Sequence, residues 1–577
     1  MKRIFALALL LLLAGAVQAQ GRVSVELIGL EGELHSNALA LLSLYRNRDH
    51  PRLSDGRIRT LHRRAPDEIR AALEPFGHYH VEVEGTLEQQ EDGHWRARYL
   101  VAPGPRLTLG EVDIRLTGAG ADDPELQRTR DALTLRPGTP LDHRDHDQAR
   151  RQLLRTATER GYLDAHFTER ELHIDLNRHE ARSTLHLETG PRYHFGPLTF
   201  HTDVLHHALL ERFSPVAEGD PYEGRRLLDL QSALHDSDYF SDVIIEPDHE
   251  AAVDQAVPID ITLMPARWQR YTAGIGYGTD TGARLGLGWE HRRLNRRGHR
   301  FRFDSQFNEI GHSFATRYRV PIGNPRTDEI DYSLARRHER LDRGDLTTTT
   351  AAIGHTNLRG GWRKNSALSL MQERFRLGSE EAQTSRLLMP SYGLSRTWAR
   401  QRTRPDHGLH LGVQLRGASE SLLSDTSFLQ GRGELRWIRS LPGDGRLLLR
   451  GEAGSSLVSD FHELPASVRF FAGGDQSVRG YAYRSLGPSN AAGDVIGGRH
   501  LLVGSAEYEH PLAGKWSAAL FYDIGNAIDR LDDPLRRGAG VGLRWQSPVG
   551  PVRIDMASAL DEPGRPWRLH LRIGPDL

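Results

Sequence analysis

The sequence predicts a mixed fold: three periplasmic α+β units followed by a C-terminal 16-stranded antiparallel transmembrane β-barrel. Three observations predict it. The N-terminus reads as an export signal, short motifs recur between residues 22 and 266, and oily and polar side chains alternate with a two-residue period through 267–577.

Lys2 and Arg3 form a positive start, Ile4 to Ala14 is an unbroken apolar stretch, and Val17-Gln18-Ala19 supplies small residues at a cleavage spacing. Residues 1–19 are therefore expected to be a signal peptide cut after Ala19. The apolar core is shorter than the ~20 residues a spanning helix needs. No later stretch is long and apolar, and the mean hydropathy is -0.53. A transmembrane barrel reads as polar on average, because lumen-facing residues alternate with lipid-facing ones. The 577 residues include 0 Cys, so stability must come from cores and sheet closure, without disulfides or thiol chemistry. A net charge of -1 gives no nucleic-acid footprint.

The repeats organise the N-terminal part. Gly104-Pro105-Arg106-Leu107-Thr108-Leu109-Gly110 recurs as Gly190-Pro191-Arg192-Tyr193-His194-Phe195-Gly196, and Gly138-Thr139-Pro140-Leu141 as Gly219-Asp220-Pro221-Tyr222. A third element closes a helix before a strand: Phe76-Gly77-His78-Tyr79, Gly161-Tyr162, and Asp238-Tyr239-Phe240, which carries Asp where the others carry Gly. Glycine adopts the left-handed helix end without steric cost. Helical spacing predicts one apolar face for Ala149, Leu153, Leu154 and Ala157, and another for Leu227, Leu228 and Leu230. Each unit reads strand, helix, helix, strand, strand, with boundaries at 22–104, 105–190 and 191–266.

In 267–577, Leu285, Leu287 and Trp289 alternate with Arg284, Gly286 and Gly288. Val541, Leu543 and Trp545 alternate with Gly540, Gly542 and Arg544. Trp567, Leu569, Leu571 and Ile573 alternate with Arg568, His570 and Arg572. Lipid outside and a wet lumen inside satisfy both faces. Closure then pairs the backbone polar groups that hydrocarbon cannot solvate.

Several barrel motifs resemble one family. Val478-Arg479-Gly480-Tyr481 with Leu486-Gly487-Pro488, Phe521-Tyr522-Asp523-Ile524-Gly525-Asn526, Gly274-Ile275-Gly276-Tyr277-Gly278 with Asp280, Asn295 and Gly298, and Gly540 to Trp545 with Ser547-Pro548-Val549-Gly550-Pro551 and Asp555 occur in the order found in the outer-membrane assembly and secretion barrels that carry POTRA domains. The three N-terminal units match the POTRA layout. Their number, the chain length and the Ile573–Leu577 ending resemble the TamA branch, the outer-membrane subunit of the translocation and assembly module. Related BamA proteins usually carry five POTRA units, and two-partner secretion transporters usually two.

The resemblance implies a lumen loop anchored by Arg479, Gly480 and Tyr481, with Asp523 and Glu507 as partners of the arginine. A planar guanidinium suits such carboxylates. It also implies a lateral seam between the first strand (Tyr271, Gly274, Gly276, Gly278) and the last (Leu569, Leu571, Ile573), where a client strand adds to an exposed edge. The implied function is insertion or secretion of autotransporters and other unfolded outer-membrane proteins. The implied partners are a TamB-like inner-membrane-anchored periplasmic protein and outer-membrane lipid. A two-partner secretion pore passing its client through the lumen is the alternative, and an enzyme or receptor on a barrel scaffold is a third class. No catalytic set, cofactor or metal site is expected: His143, His146, His206 and His207 lack companion ligands at metal spacing, and the Gly274–Gly278 run lacks the helix a nucleotide loop needs.

Overall fold

Two distinct units divide the chain. One runs to Leu198 with Val216–Leu228 and Pro247–Ile259; the other comprises Thr199–Pro215, Asp229–Glu246 and Asp260–Leu577. The computed structural model describes residues 23–91, 93–341, 344–378, 381–399, 405–547 and 550–573. The expected leader, residues 1–19, lies outside the described residues, as do Pro548, Val549 and Gly574–Leu577 of the quoted motifs.

Three small sheets precede the barrel. In the first, Val23–Ile28 runs parallel to Trp95–Ala102, which pairs antiparallel with Glu82–Gln89. Thr108–Thr117, Glu180–Glu188 and His166–Asp175 repeat this order, as do His194–His201, Ala256–Pro265 and Phe240–Pro247. The parallel pair needs a crossover, and the helices between the first and second strands supply it. In the second sheet's unit, helix His143–Glu159 buries Ala149, Leu153 and Ala157. Leu154 and Leu228 depart from expectation and are exposed, Leu228 at 63%. Successive helical residues point about 100° apart, so neither Leu153–Leu154 nor Leu227–Leu228 can be wholly inward as a pair. His146 is buried with Nδ1 2.9 Å from Ser183 Oγ, and His143 Nε2 lies 2.8 Å from Tyr79 OH. Both histidines are thus taken up by local packing.

The recurring motifs form one joint built twice. Leu107 N–H donates to Gly77 O at 2.9 Å, and Tyr193 N–H to Gly161 O at 2.8 Å. Leu141 N–H donates back to Leu107 O at 2.8 Å, and Tyr222 N–H to Tyr193 O at 3.0 Å. Gly77 and Gly161 have φ of 84° and 91°. A Cβ on them would meet Leu141 O at 2.7 Å and Tyr222 O at 2.6 Å. Conformation and closeness both require glycine there. Asp238, in the third copy, adopts φ 59°, and Tyr239 beside it hydrogen-bonds Gly298 O in the turn after the second barrel strand.

The barrel is a 16-stranded antiparallel sheet from Gln269–Gly278 to Trp567–Ile573, every strand paired with its sequence neighbours. Leu285, Leu287, Val541, Leu543 and Trp545 are exposed on its outer face, whereas Arg544 is buried inside. That division is the one a lipid exterior imposes.

Gly161→Val is expected to weaken the joint by about 2 kcal/mol, making exchange of the Tyr193 and Tyr222 amides roughly thirty-fold faster; unchanged hydrogen exchange contradicts this. Burial lowers the pKa of His146 from 6.5, so its contribution is fully present above pH 6.5 and is lost as pH falls through the lowered native value. Amide protection in Glu180–Glu188 should therefore decline on acidification, and less so in His146→Gln.

Candidate functional site: a luminal loop and a strand seam

Residues 459–499 join strands Arg446–Val458 and His500–Pro511. Turns at Gly473 and Gly474, with φ 96° and 103°, lead the loop towards Arg479. Gly480, at φ 98°, lies so close to the wall that a Cβ would meet the Ser558 carbonyl carbon at 2.7 Å. Its N–H donates to His570 Nε2 at 3.1 Å.

Alternation from Phe521 to Ile524 turns Asp523 inward, where its side chain is fully buried. Arg479 grips it with Nε to Oδ2 at 2.7 Å and Nη2 to Oδ1 at 2.9 Å, and the Arg479 backbone N–H adds a bond of 3.0 Å. Arg479 Nη1 reaches Glu507 Oε2 at 2.7 Å and Asp555 Oδ2 at 3.1 Å. The guanidinium carbon lies 3.4 Å from the centre of the Phe521 ring. Tyr481 points elsewhere: its OH donates to Arg537 O at 3.3 Å and accepts from the Asp561 N–H at 3.4 Å. The hydrogen bond from Arg537 holds the Asp561 carboxyl below the usual carboxylate range.

The structure thus brings Arg479, Asp523 and Glu507 together and adds residues the sequence did not single out. Arg544 binds Glu507 Oε1 and Asp555 Oδ1, each at 2.6 Å, and approaches Glu509 Oε1 at 3.4 Å. Arg446 meets Glu509 Oε2 at 3.1 Å. Alternation along Gly540–Trp545 already placed Arg544 inward; what was missing was the register that sets it beside Glu507. Three arginines and four carboxylates share this buried network, each carboxylate meeting at least one arginine, and removing one partner costs about 3–5 kcal/mol.

The first and last strands approach each other, but among the described residues no ladder joins them. The sheet's order ends at each without a return pairing. Among the described residues one hydrogen bond crosses, Leu571 N–H to Thr279 Oγ1 at 3.4 Å. Tyr271 and Leu569 face outward, 72% and 56% exposed. A Cβ at Gly274 or Gly276 would meet nothing within 4 Å, so these glycines leave the first strand bare rather than relieve crowding. Gly278 differs, since its Cβ would meet Arg284 Nη2 at 3.1 Å. Ile573 ends the described last strand.

A family model described as the Omp85 superfamily domain matches residues 269–575, and one described as TamA POTRA domain 1 matches residues 24–103. The chain is 24% identical over 384 residues to the outer membrane protein assembly factor BamA of Nitratidesulfovibrio vulgaris, covering 62% of this chain and 47% of that protein. It thus spans about half the length of that relative. It is 21% identical over 514 residues to BamA of Neorickettsia risticii, covering 84% and 68%. The crystal structure of Haemophilus ducreyi BamA lacking POTRA domains 1–3 has the same fold, with a TM-score of 0.69 at 16% identity over 81% of this chain and 99% of that one.

Arg479→Asp alone should release the loop, read as new protease cleavage within 459–499 in a barrel that still runs heat-modifiably. The Arg479→Asp/Asp523→Arg double variant should restore part of the protection. Protection unchanged in the single variant contradicts the anchor.

Proposed function

The chain belongs to the Omp85 superfamily, and from that premise we propose that it is a TamA-like outer-membrane component of a translocation and assembly module. On this reading it inserts or secretes autotransporters and other unfolded outer-membrane proteins. The barrel sits in the outer membrane with its POTRA arm in the periplasm. Support for the finer assignment comes from the TamA-type match over the first unit and from the three-sheet arm.

The observation that carries the mechanism is the seam. Where two strand edges face each other with one hydrogen bond among the described residues, backbone donors and acceptors are available to an incoming strand. The client's edge pairs with the first strand, the barrel opens sideways, and the client grows into lipid. Client folding and burial of its lipid-facing side chains provide the driving force, with no bond chemistry by this chain. The TamB-like partner would deliver clients or lipid to the arm.

The lumen-pore alternative asks more of the molecule. At the extracellular strand ends, Leu346, Phe375, Leu387 and Phe428 pack with Phe461, Leu464 and Val468 of the loop into an apolar cluster. A client using the lumen would have to break that cluster and the Arg479 network together.

With 0 native Cys, engineered thiols are the only ones present. A disulfide joining the first and last strands beside Thr279 and Leu571 should block client insertion into vesicles and be reversed by reductant. Insertion at the unlocked rate under complete crosslinking would sink lateral opening. Strong conductance in the locked barrel would favour the pore. Capture of a TamB-like protein from solubilised membranes should depend on the arm, and equal recovery without it would exclude that partnership.

A further inference from the structure

Beneath the loop tip, the lumen holds a cavity of about 390 Å³ whose charges do not balance locally. Its carboxylates are mostly taken: Glu452 by Arg432 at 2.8 Å, Glu434 by His410 at 3.1 Å, and Glu507 and Asp555 by Arg479 and Arg544. Arg436, Arg450 and Arg572 line the same space without a salt bridge to any described residue. Asp475, on the loop, is the counter-charge left, and its N–H donates to Asp280 Oδ2 at 2.9 Å.

The register makes the excess sharper. Arg436 lies directly opposite Arg450 on the neighbouring strand, and Arg553 lies opposite both Arg544 and Arg572. Like charges directly opposite across a sheet are destabilising. Three buried donors on this cavity lack a hydrogen bond among the described residues; Arg484 Nη1 still faces Glu339 Oε1 at 3.6 Å, and the other two have no ion pair either. One is Arg450 Nε, whose guanidinium otherwise donates through Nη2 to Ser477 O at 2.7 Å. The other is His570 Nδ1. His570 is 1% exposed, and its Nε2 accepts the Gly480 N–H, so the neutral ring carries its proton on Nδ1.

We propose that this cavity is a binding site for a phosphate-class oxyanion, held by Arg436, Arg450, Arg572 and the Nδ1–H of His570. Guanidinium groups match tetrahedral oxyanions with paired donors, and a multiply charged anion relieves the Arg436–Arg450 opposition. Such an anion also rests beside the loop, since Arg450 holds Ser477 O and His570 holds Gly480 N. A free phosphate or the phosphate of a lipid headgroup supplies the same chemistry.

The test uses the full chain in neutral detergent and phosphate-free buffer at fixed ionic strength. Pyrophosphate is titrated in one arm and phosphatidylglycerol-doped neutral micelles in the other, with ³¹P line broadening and the temperature of barrel unfolding as readouts. Saturable broadening and a rise in that temperature are expected in at least one arm. Arg450→Gln, Arg436→Gln and Arg572→Gln should each weaken the response about tenfold or more, the equivalent of one charge-assisted hydrogen bond. Arg530→Gln, on an exposed turn, should leave it unchanged. Without anion, Arg450→Gln or Arg436→Gln should raise the unfolding temperature by removing the like-charge pair. A response to pyrophosphate identifies a free-anion site, and one to the doped micelles alone identifies a headgroup site. No saturable response in either arm, or one equal across all four variants, overturns the proposal.

Discussion

Hydrocarbon cannot solvate a peptide group, and most of this molecule follows from that constraint. Each backbone N–H and C=O within the bilayer needs a partner on a neighbouring strand. Antiparallel pairing of sequence neighbours provides it from Gln269–Gly278 through to Trp567–Ile573. Among the described residues, the pairing lapses where the sheet must return to its beginning. That interface is therefore the weak place in an otherwise fully laced wall, and proposed function attaches to it for the same reason.

The lumen meets a second constraint. Charged residues cannot face lipid, so alternation drives them inward, where they must be matched. Near Arg479 each carboxylate meets an arginine: three arginines and four carboxylates interleave across five consecutive strands, and the loop enters as one member of the set. Such a network contributes less to net stability than its contacts suggest, because desolvation offsets much of the attraction. What it provides is position. A bidentate fork on Asp523, with Glu507 and Asp555 on its other nitrogen, fixes the loop in one register.

Much of this was legible in the sequence. A period of two gave the strands and their faces, and Gly77 and Gly161 announced helix ends that the structure closes with positive φ. Asp238 shows why a motif reading tolerates exceptions, since aspartate also enters the left-handed region. Leu154 and Leu228 were misassigned because adjacent leucines look equally apolar on paper, whereas a helix turns about 100° between them. Glu509 and Arg446 escaped notice, and Arg544 was placed inward without its partners, for another reason. Alternation gives a side chain's face but not its neighbours, and only the register across several strands sets Arg544 beside Glu507. The joints between units were visible as repeated words without a visible meaning, because each hydrogen bond joins segments separated by tens of residues.

The loop reaches both the last strand and the first hairpin. Its Gly480 N–H binds His570 on the last strand, and its Asp475 N–H binds Asp280 in the turn that closes the first hairpin. Among the described residues, two loop backbone bonds therefore span the interface from inside, against the one bond, Leu571 to Thr279, that crosses between the strands themselves. Parting the strands while the loop stays fixed requires breaking one of those two. The His570 side is held rigidly, since Gly480 neighbours Arg479 and its buried carboxylates. The Asp280 side is a contact to a single turn. Under the proposed lateral opening, strands that part first at the first hairpin leave the Arg479 network intact, and Gly274 and Gly276 put no side chains of their own in the way.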